Sequence, residues 1–378
     1  MTIGIPKETY PGENRCSLTP TDASKLVKKG ARVIIESGAG LGARHSDDAY
    51  VKAGAEIKQD RKTLFGESDL LLRVRKPAIE EVDLLKSGAI HISYLDPFNE
   101  RNLLQKLAEK NVSAVCMEMI PRTTRAQKMD VLSSQASLAG YAAVILAAER
   151  LDQIFPMMMT PAGTINPVRV FVIGAGVAGL QAIATAKRLG ARVDAFDTRP
   201  VVAEQVKSLG GRFLEIDLGE TGQTKDGYAR ELTPEQLQKQ REAMAKQCSL
   251  SQVVITTAQV FGRKSPIIIT RDMIDRMQPG SLVVDLAIEG GGNVEGAQLG
   301  KEVDVNGVRI LGLENMPGRV AIPASQMYSS NVSAFIDEFW DKEAKTVALK
   351  LDDDIIQSAL LTHGGQIINE TIKKHFAK

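Results

Sequence analysis

A run of apolar, mostly β-branched residues that breaks into spaced glycines constrains this chain more than any other feature. Arg169-Val170-Phe171-Val172-Ile173 leads into Gly174-Ala175-Gly176-Val177-Ala178-Gly179, the Gly-x-Gly-x-x-Gly spacing. From Val177 to Leu189 the spacing is helical, with Val177, Leu180, Ile183 and Ala184 on one face, and Gly190 ends the run. Arg192 to Phe196 then reads as a second buried strand, closed by Asp197. A glycine triplet alone is a weak signal. Framed by strand, helix and strand it is the unit that binds a dinucleotide.

Each glycine does something a side chain would obstruct. Gly174 permits the tight turn, Gly176 lets the backbone approach a pyrophosphate, and Gly179 lets helix and strand pack closely. The helix start at Val177 and Ala178 supplies unpaired N–H groups and the positive end of the helix dipole to that anion. Asp197 sits where a carboxylate accepts hydrogen bonds from the adenosine ribose and repels a 2′-phosphate, which favours NAD(H) over NADP(H). Thr198 and Arg199 complete this part of the binding set. Arg199 is the counter-argument, since an arginine there accommodates a 2′-phosphate; Asp197 is given more weight.

At 378 residues the chain is expected to form two domains. Lys and Arg total 47 against 46 Asp and Glu, a balance that argues against a nucleic-acid or anionic-membrane surface. Cys16, Cys116 and Cys248 have no metal-ligand spacing and no activating neighbour, and read as reduced, mostly buried thiols of a cytosolic-type compartment. Met1 to Lys7 lacks the pattern of a signal segment. The apolar stretch Ala142 to Ala148 is too short for a membrane span, so no direct span is expected.

Along the chain, strands at Ile3–Ile5, Val33–Ile35, Leu70–Leu72, Ala89–Tyr94 and Val112–Met117 alternate with helices, one opened by Thr19-Pro20-Thr21-Asp22. Such alternation means a mostly parallel α/β sheet. Gly38, Gly40 and Gly42 read as a loop and not as a second nucleotide turn. Ser134 to Arg150 is an alanine-rich helical arm. Later strands are expected at Arg212–Ile216, Val253–Thr257, Leu282–Leu286 and Val308–Leu311. Asp217 to Gln247 reads as a polar insert containing Tyr228. Helical spacing returns from Pro323 to Trp340, and the tail from Ile355 to Phe376 also reads helical. Met157-Met158-Met159 suggests soft core or interface packing. The expected architecture is two Rossmann-like doubly wound α/β domains with a cleft between them. Residues 1–134 plus 322–378 make the first, and 135–321 the second, NAD(H)-binding one.

The densest polar segment runs from Met119 to Gln135. In it Arg122, Gln127, Asp130 and Ser133 offer donors and acceptors suited to a carboxamide and a ribose, although a solvated loop leading to a capped helix has the same composition. Pro121-Arg-Thr-Thr-Arg-Ala-Gln-Lys-Met-Asp-Val-Leu-Ser-Ser-Gln135, the glycine turn, and Asp285-Leu-Ala-Ile-Glu-Gly-Gly-Gly-Asn293 together resemble the NAD(H)-binding component of proton-translocating nicotinamide nucleotide transhydrogenase. The resemblance spans nearly the whole chain and extends to the related alanine dehydrogenases. It implies that Arg122, Gln127, Asp130 and Ser133 surround the nicotinamide end of NADH, and that Tyr228 lies on a mobile loop closing over the nucleotide. It also implies that the segment at Glu289 lines the cofactor cleft. The implied assembly is a homodimer, held at the inner membrane from the cytoplasmic side by membrane-spanning and NADP(H)-binding subunits.

The alternative, an alanine dehydrogenase, needs a positioned acid/base and cationic anchors for a carboxylate. Arg15 matches that family's arginine, but its lysine position reads Arg75, with Lys76 one place off. Its histidine position reads Tyr94 and its late aspartate reads Glu289. His91 is read as a packed strand residue. Hydride transfer between two nicotinamide rings needs no proton chemistry, so these departures fit it. A third reading is a non-catalytic NAD-binding module.

Overall fold

The computed structural model describes residues 1–217 and 233–377. They form two compact units: Met1–Gln135 with Gly318–Lys378, and Ala136–Pro317. Tyr228 lies outside the described residues.

In the first unit, strands β1 (Thr2–Ile5), β2 (Arg32–Glu36), β3 (Glu56–Lys58), β4 (Leu70–Leu72), β5 (Ile90–Ser93) and β6 (Ser113–Cys116) run parallel in the order β3-β2-β1-β4-β5-β6. Strands buried on both faces read as continuous apolar runs. Ile3, Ile5, Val33, Ile35 and Leu72 pack with Tyr328, Val332 and Phe335 of the helix Ala321–Glu338. Ile34 and Leu71 pack on the other side with Phe65, Leu104 and Leu107. Helix α1 (Pro20–Lys28) starts as its sequence requires, with the Thr19 side chain accepting from the Asp22 N–H and Pro20 in the first turn.

The tail differs from the helical expectation. Leu360–His363 is a strand antiparallel to β6, followed by Gln366–Ile367, and only Asp354–Ala359 and Glu370–Phe376 are helical. Leu360-Leu361-Thr362 is a short apolar run whose periodicity cannot separate a buried strand from a helix. Gly40 and Gly42 sit in a loop packed on the protein itself: a Cβ on Gly42 would lie 2.5 Å from the Asn14 carbonyl.

In the second unit, β7 (Arg169–Ile173), β8 (Arg192–Phe196), β9 (Arg212–Phe213), β10 (Val253–Thr256), β11 (Leu282–Asp285), β12 (Lys301–Val305) and β13 (Val308–Gly312) form one sheet. Its order is β9-β8-β7-β10-β11-β13-β12, with only β12 antiparallel. The chain reverses direction across the sheet between β7 and β10, the switch point where doubly wound sheets bind ligands. Helix α2 (Val131–Arg150) contributes Ala143, Val144 and Ala147 to the core beside Val170, Val172 and Ile183. Helix α3 (Val177–Arg188) follows the glycine turn.

Three sequence readings are corrected here. The strand expected to reach Ile216 stops at Phe213. The polar insert is not all loop: Pro234–Ser249 is helix α4, opened by a capping box of Thr233 and Gln236 and burying Met244, Ala245 and Cys248. The methionine run is not core. Met157, Met158 and Met159 are 57%, 44% and 73% exposed, at a hairpin of Met158–Thr160 against Gly163–Ile165.

Among the described residues one helix, α2, is long and apolar enough by length and composition to cross a bilayer. The apolar stretch seen as Ala142–Ala148 therefore sits in a longer candidate than the sequence reading allowed. Its Ala142, Ala143, Val144, Leu146 and Ala147 are buried in the second unit's core.

Gly179 is the tightest position in this unit, since a Cβ there would lie 1.8 Å from the Gly174 carbonyl oxygen. Gly179→Ala is expected to cost about 1–3 kcal/mol in denaturant unfolding, as overpacking does. Gly66→Ala, in the helix Arg61–Glu67 where no atom lies within 4 Å of the new carbon, should be neutral or stabilising. Equal effects at both positions would contradict this packing.

Candidate nucleotide site

The carboxyl ends of β7, β8, β10 and β11 bring together Gly174–Gly179, Asp197, Thr257–Ala258 and the segment Ala287–Asn293. Gly174 has a φ of +92°, a backbone conformation that glycine adopts without strain. Its carbonyl accepts a hydrogen bond from the Thr257 hydroxyl at 3.0 Å. Gly176 begins α3 with no side chain capping it. The nearest atom to a Cβ placed on Gly176 is Arg199 Nη2, 4.0 Å away, so this glycine faces an open approach. The first bond of the helix is Leu180 N–H to the Gly176 carbonyl, which leaves the N–H groups of Val177, Ala178 and Gly179 directed at that approach. An open glycine, a left-handed turn and an uncapped helix start fit a pyrophosphate.

Asp197 is more committed than the sequence suggests. Its Oδ2 accepts from the Ala175 N–H at 2.8 Å, and its Oδ1 from the Arg199 N–H at 2.8 Å. The Arg199 guanidinium adds Nε to Oδ1 at 2.9 Å and Nη2 to Oδ2 at 2.8 Å. This pairing holds the arginine's pKa above its ordinary value. Asp197 and Arg199 are thus one bonded pair and not two competing signals, with Thr198 between them.

Glu289 is exposed in the short turn Ile288–Gly290. The residues shaping that segment are ones the site reading did not include. Asp285 Oδ1 accepts from the Ala287 N–H at 2.9 Å and the Thr256 hydroxyl at 3.2 Å, and Oδ2 from the Asn293 N–H at 2.8 Å. Asn293 accepts from the Ala258 N–H at 3.0 Å and donates to the carbonyls of Ala258 and Pro266, at 2.9 and 2.8 Å. The two loops after β10 and β11 are therefore braced as one piece. The usable sequence signal was a buried Asp and an Asn at the two ends of a glycine run.

The Arg122–Ser133 group belongs to the first unit. Arg122 and Gln127 are exposed, while Asp130 and Ser133 are half-buried and bonded to each other. Asp130 caps α2: Oδ1 accepts from the Ser133 N–H at 2.9 Å and Oδ2 from its hydroxyl at 2.6 Å. The neighbouring cations are engaged elsewhere in the unit, Arg125 with Asp353 at 2.7 Å and Lys128 with Glu338 at 2.9 Å. The thiols are all buried; burial pushes Cys248 up to about 12 and Cys116 well above its ordinary value, which makes them inert as nucleophiles.

Fold and site define a chain of two Rossmann-type units, one of which carries a dinucleotide-type glycine turn. Residues 4–139 match the family description "Alanine dehydrogenase/PNT, N-terminal domain" and residues 143–370 its C-terminal counterpart. The chain belongs to the alanine dehydrogenase/PNT family. It is 44% identical to a Rhodospirillum rubrum protein, the first portion of an NAD(P) transhydrogenase subunit alpha made in pieces, over 98% of this chain and 99% of that protein. The solved transhydrogenase of Sinorhizobium meliloti is similar with a TM-score of 0.88 at 43% identity, over 97% of this chain and 100% of that one. A solved L-alanine dehydrogenase is similar with a TM-score of 0.83 at 25% identity, over 100% and 99%.

The positions that would serve amino-acid chemistry are engaged within the first unit. Lys76 pairs with Glu100 at 2.6 Å and Asp96 at 3.2 Å. His91 is buried with Nε2 2.9 Å from the Ser93 hydroxyl, and burial, with Arg73 adding to it, brings its pKa down to about 3. It is neutral at any working pH. The Tyr94 hydroxyl donates to the Val131 carbonyl.

Arg15 is buried against Glu13, with Nη2 to Oε2 at 2.6 Å and Nε to Oε1 at 2.8 Å, and donates through Nη1 to Gln135 Oε1 at 2.9 Å. Arg75 Nε reaches Glu13 Oε2 at 3.0 Å. Burial alone would raise the Glu13 pKa, but the bonds and charge of Arg15 win and bring it down from 4.5 to about 2. A depressed carboxylate stabilises the fold fully above pH 4.5 and loses that contribution as pH falls toward 2. Glu13→Gln should cost about 3 kcal/mol at neutral pH. The stability gap to the parent should close as urea unfolding is repeated from pH 5 down to pH 2, and a constant gap would contradict the assignment.

Proposed function

We propose that this chain is the NAD(H)-binding component of a proton-translocating transhydrogenase, presenting NADH for direct hydride transfer to NADP+ on a partner subunit. The observation that carries the proposal is the match, over almost the full length of both chains, to a transhydrogenase alpha subunit at 44% identity, against 25% for the L-alanine dehydrogenase structure. The relatives' name "subunit alpha" speaks for further subunits. NADH, when bound, supplies the hydride. This chain's residues do the rest by binding and orientation. We assign the pyrophosphate to Gly174, Gly176, Gly179 and the N–H groups of Val177 and Ala178. The adenosine ribose is assigned to Asp197 with Thr198 and Arg199, and the nicotinamide end to Arg122, Gln127, Asp130 and Ser133. Glu289 is assigned to the cofactor-facing loop and Tyr228 to a closing one.

We further propose a homodimer, attached to the membrane through spanning partner subunits. The exposed Met157, Met158, Met159 and Ile165 of the hairpin, with exposed Tyr141 and Ile145 on α2, favour it. A lone two-stranded hairpin is marginal in water, and apolar side chains on it call for a cover.

Mixed with an NADP(H)-binding partner subunit, the chain should catalyse cyclic transhydrogenation, and alone it should make no NADH from L-alanine. Gln127→Asn is expected to lower the hydride-transfer rate at least about tenfold with NADH affinity nearly unchanged, the pattern of a lost orienting contact. L-Alanine-dependent NADH production would favour the dehydrogenase reading, and NADH binding with no transfer would favour the non-catalytic one. In sedimentation equilibrium at micromolar concentration the parent should be a dimer and Met159→Glu largely a monomer; a monomeric parent would remove the dimer.

A further inference from the structure

The Asp197 carboxylate has about four acceptor positions, two on each oxygen. Two are filled by main-chain N–H groups, those of Ala175 and Arg199, whose positions are set by the turns after β7 and β8. The remaining two are filled side-on by Nε and Nη2 of Arg199, at 2.9 and 2.8 Å. The pair is well sheltered, with side-chain exposures of 18% for Arg199 and 6% for Asp197. Its guanidinium also lies beside Gly176, on the face that glycine leaves open.

We propose that Arg199 is a built-in competitor for the adenosine ribose. It holds the two positions on Asp197 that the 2′- and 3′-hydroxyls would use, so pairing and ribose binding exclude one another. The inference rests on the dinucleotide reading of the glycine turn and goes beyond it, since it makes Arg199 a specificity-determining residue. Its partner is any ligand with a vicinal ribose diol. Main-chain donors cannot leave the carboxylate without unravelling the turn, whereas a guanidinium on a flexible stem can. The chain then has two arrangements, and the one competent for ribose is the minor one. An apparent affinity is lowered by the fraction of competent molecules, so a competent fraction of about 10% weakens ribose binding about tenfold.

Adenosine isolates the effect because it carries the diol and no charge, so loss of a cation near the phosphates is not read. In NMR titrations Arg199→Ala should bind adenosine about tenfold more tightly than the parent does. It should bind 2′,3′-dideoxyadenosine, which lacks both hydroxyls, as the parent does. Arg199→Met, which keeps the apolar stem, should repeat the result and guards against a local packing fault. Adenosine binding that is unchanged or weaker in both variants, or an equal gain for the dideoxy compound, overturns the proposal. NADH must displace adenosine from the parent. Failure to displace it would sink the dinucleotide reading together with the inference, whereas displacement without a gain for the variants sinks the competitor role alone.

Discussion

The oxygen of Gly174 has no room beside it. A Cβ on Gly179 would stand 1.8 Å from it, and the Thr257 hydroxyl donates to it from the next strand's end. A single carbonyl thereby ties three things together: the turn after β7, the first turn of α3 and the end of β10. Gly140 extends the constraint outward, because its missing side chain lets α2 run 2.1 Å, measured from a hypothetical Cβ, from the Ala178 carbonyl. The first turn of α3 is gripped from the sheet below and the helix beside it. Its N–H groups can face an anion only because these glycines keep their surroundings so close.

Around this turn, carboxylates are used chiefly as acceptors for main-chain N–H groups. Asp197 binds the turns after β7 and β8, and Asp285 binds both ends of the Ala287–Val294 segment. Burial pushes the Asp285 carboxyl pKa up, against the donors from Asn293 and Ala287 that favour its ionised form. Buried polar groups satisfied in this way rigidify loops that would otherwise be floppy. The Arg122–Ser133 group is built differently. Asp130 spends two bonds on capping α2, and Arg122 and Gln127 stand exposed. One group is a preset cradle and the other is a set of reaching side chains.

Much of this was legible because buried parallel strands are written as uninterrupted apolar runs, and the glycine turn as a spacing no other element needs. The misses have physical reasons. Leu360–His363 was too short for its period to show, and its strand character comes from pairing with β6, a partner 250 residues away at the Ser113–His363 contact. Helix α4 buries so few apolar side chains that its stripe was faint. β12 was overlooked although Asn306-Gly307, both at positive φ, joins it to β13 in a two-residue hairpin. The union of Asp197 with Arg199 could not be read at all, because two residues apart along a loop says nothing about which way side chains fold back.

The two sheets share a plan. Counting the parallel strands of each in chain order, the first sits inside, the second and third lie to one side and the fourth to sixth to the other, and an antiparallel strand follows beyond the sixth. Only the connection after the first strand differs: Gly174 to Gly176 in one, and the longer Pro6 to Thr19 in the other. In the latter, buried Glu8 accepts from the Val74 N–H at 2.6 Å, and Glu13 and Arg15 close on each other beside it. The fold is therefore present twice and its phosphate-cradling turn once. A chain built this way takes up one dinucleotide per polypeptide, and its other copy of the architecture is free to serve as framework.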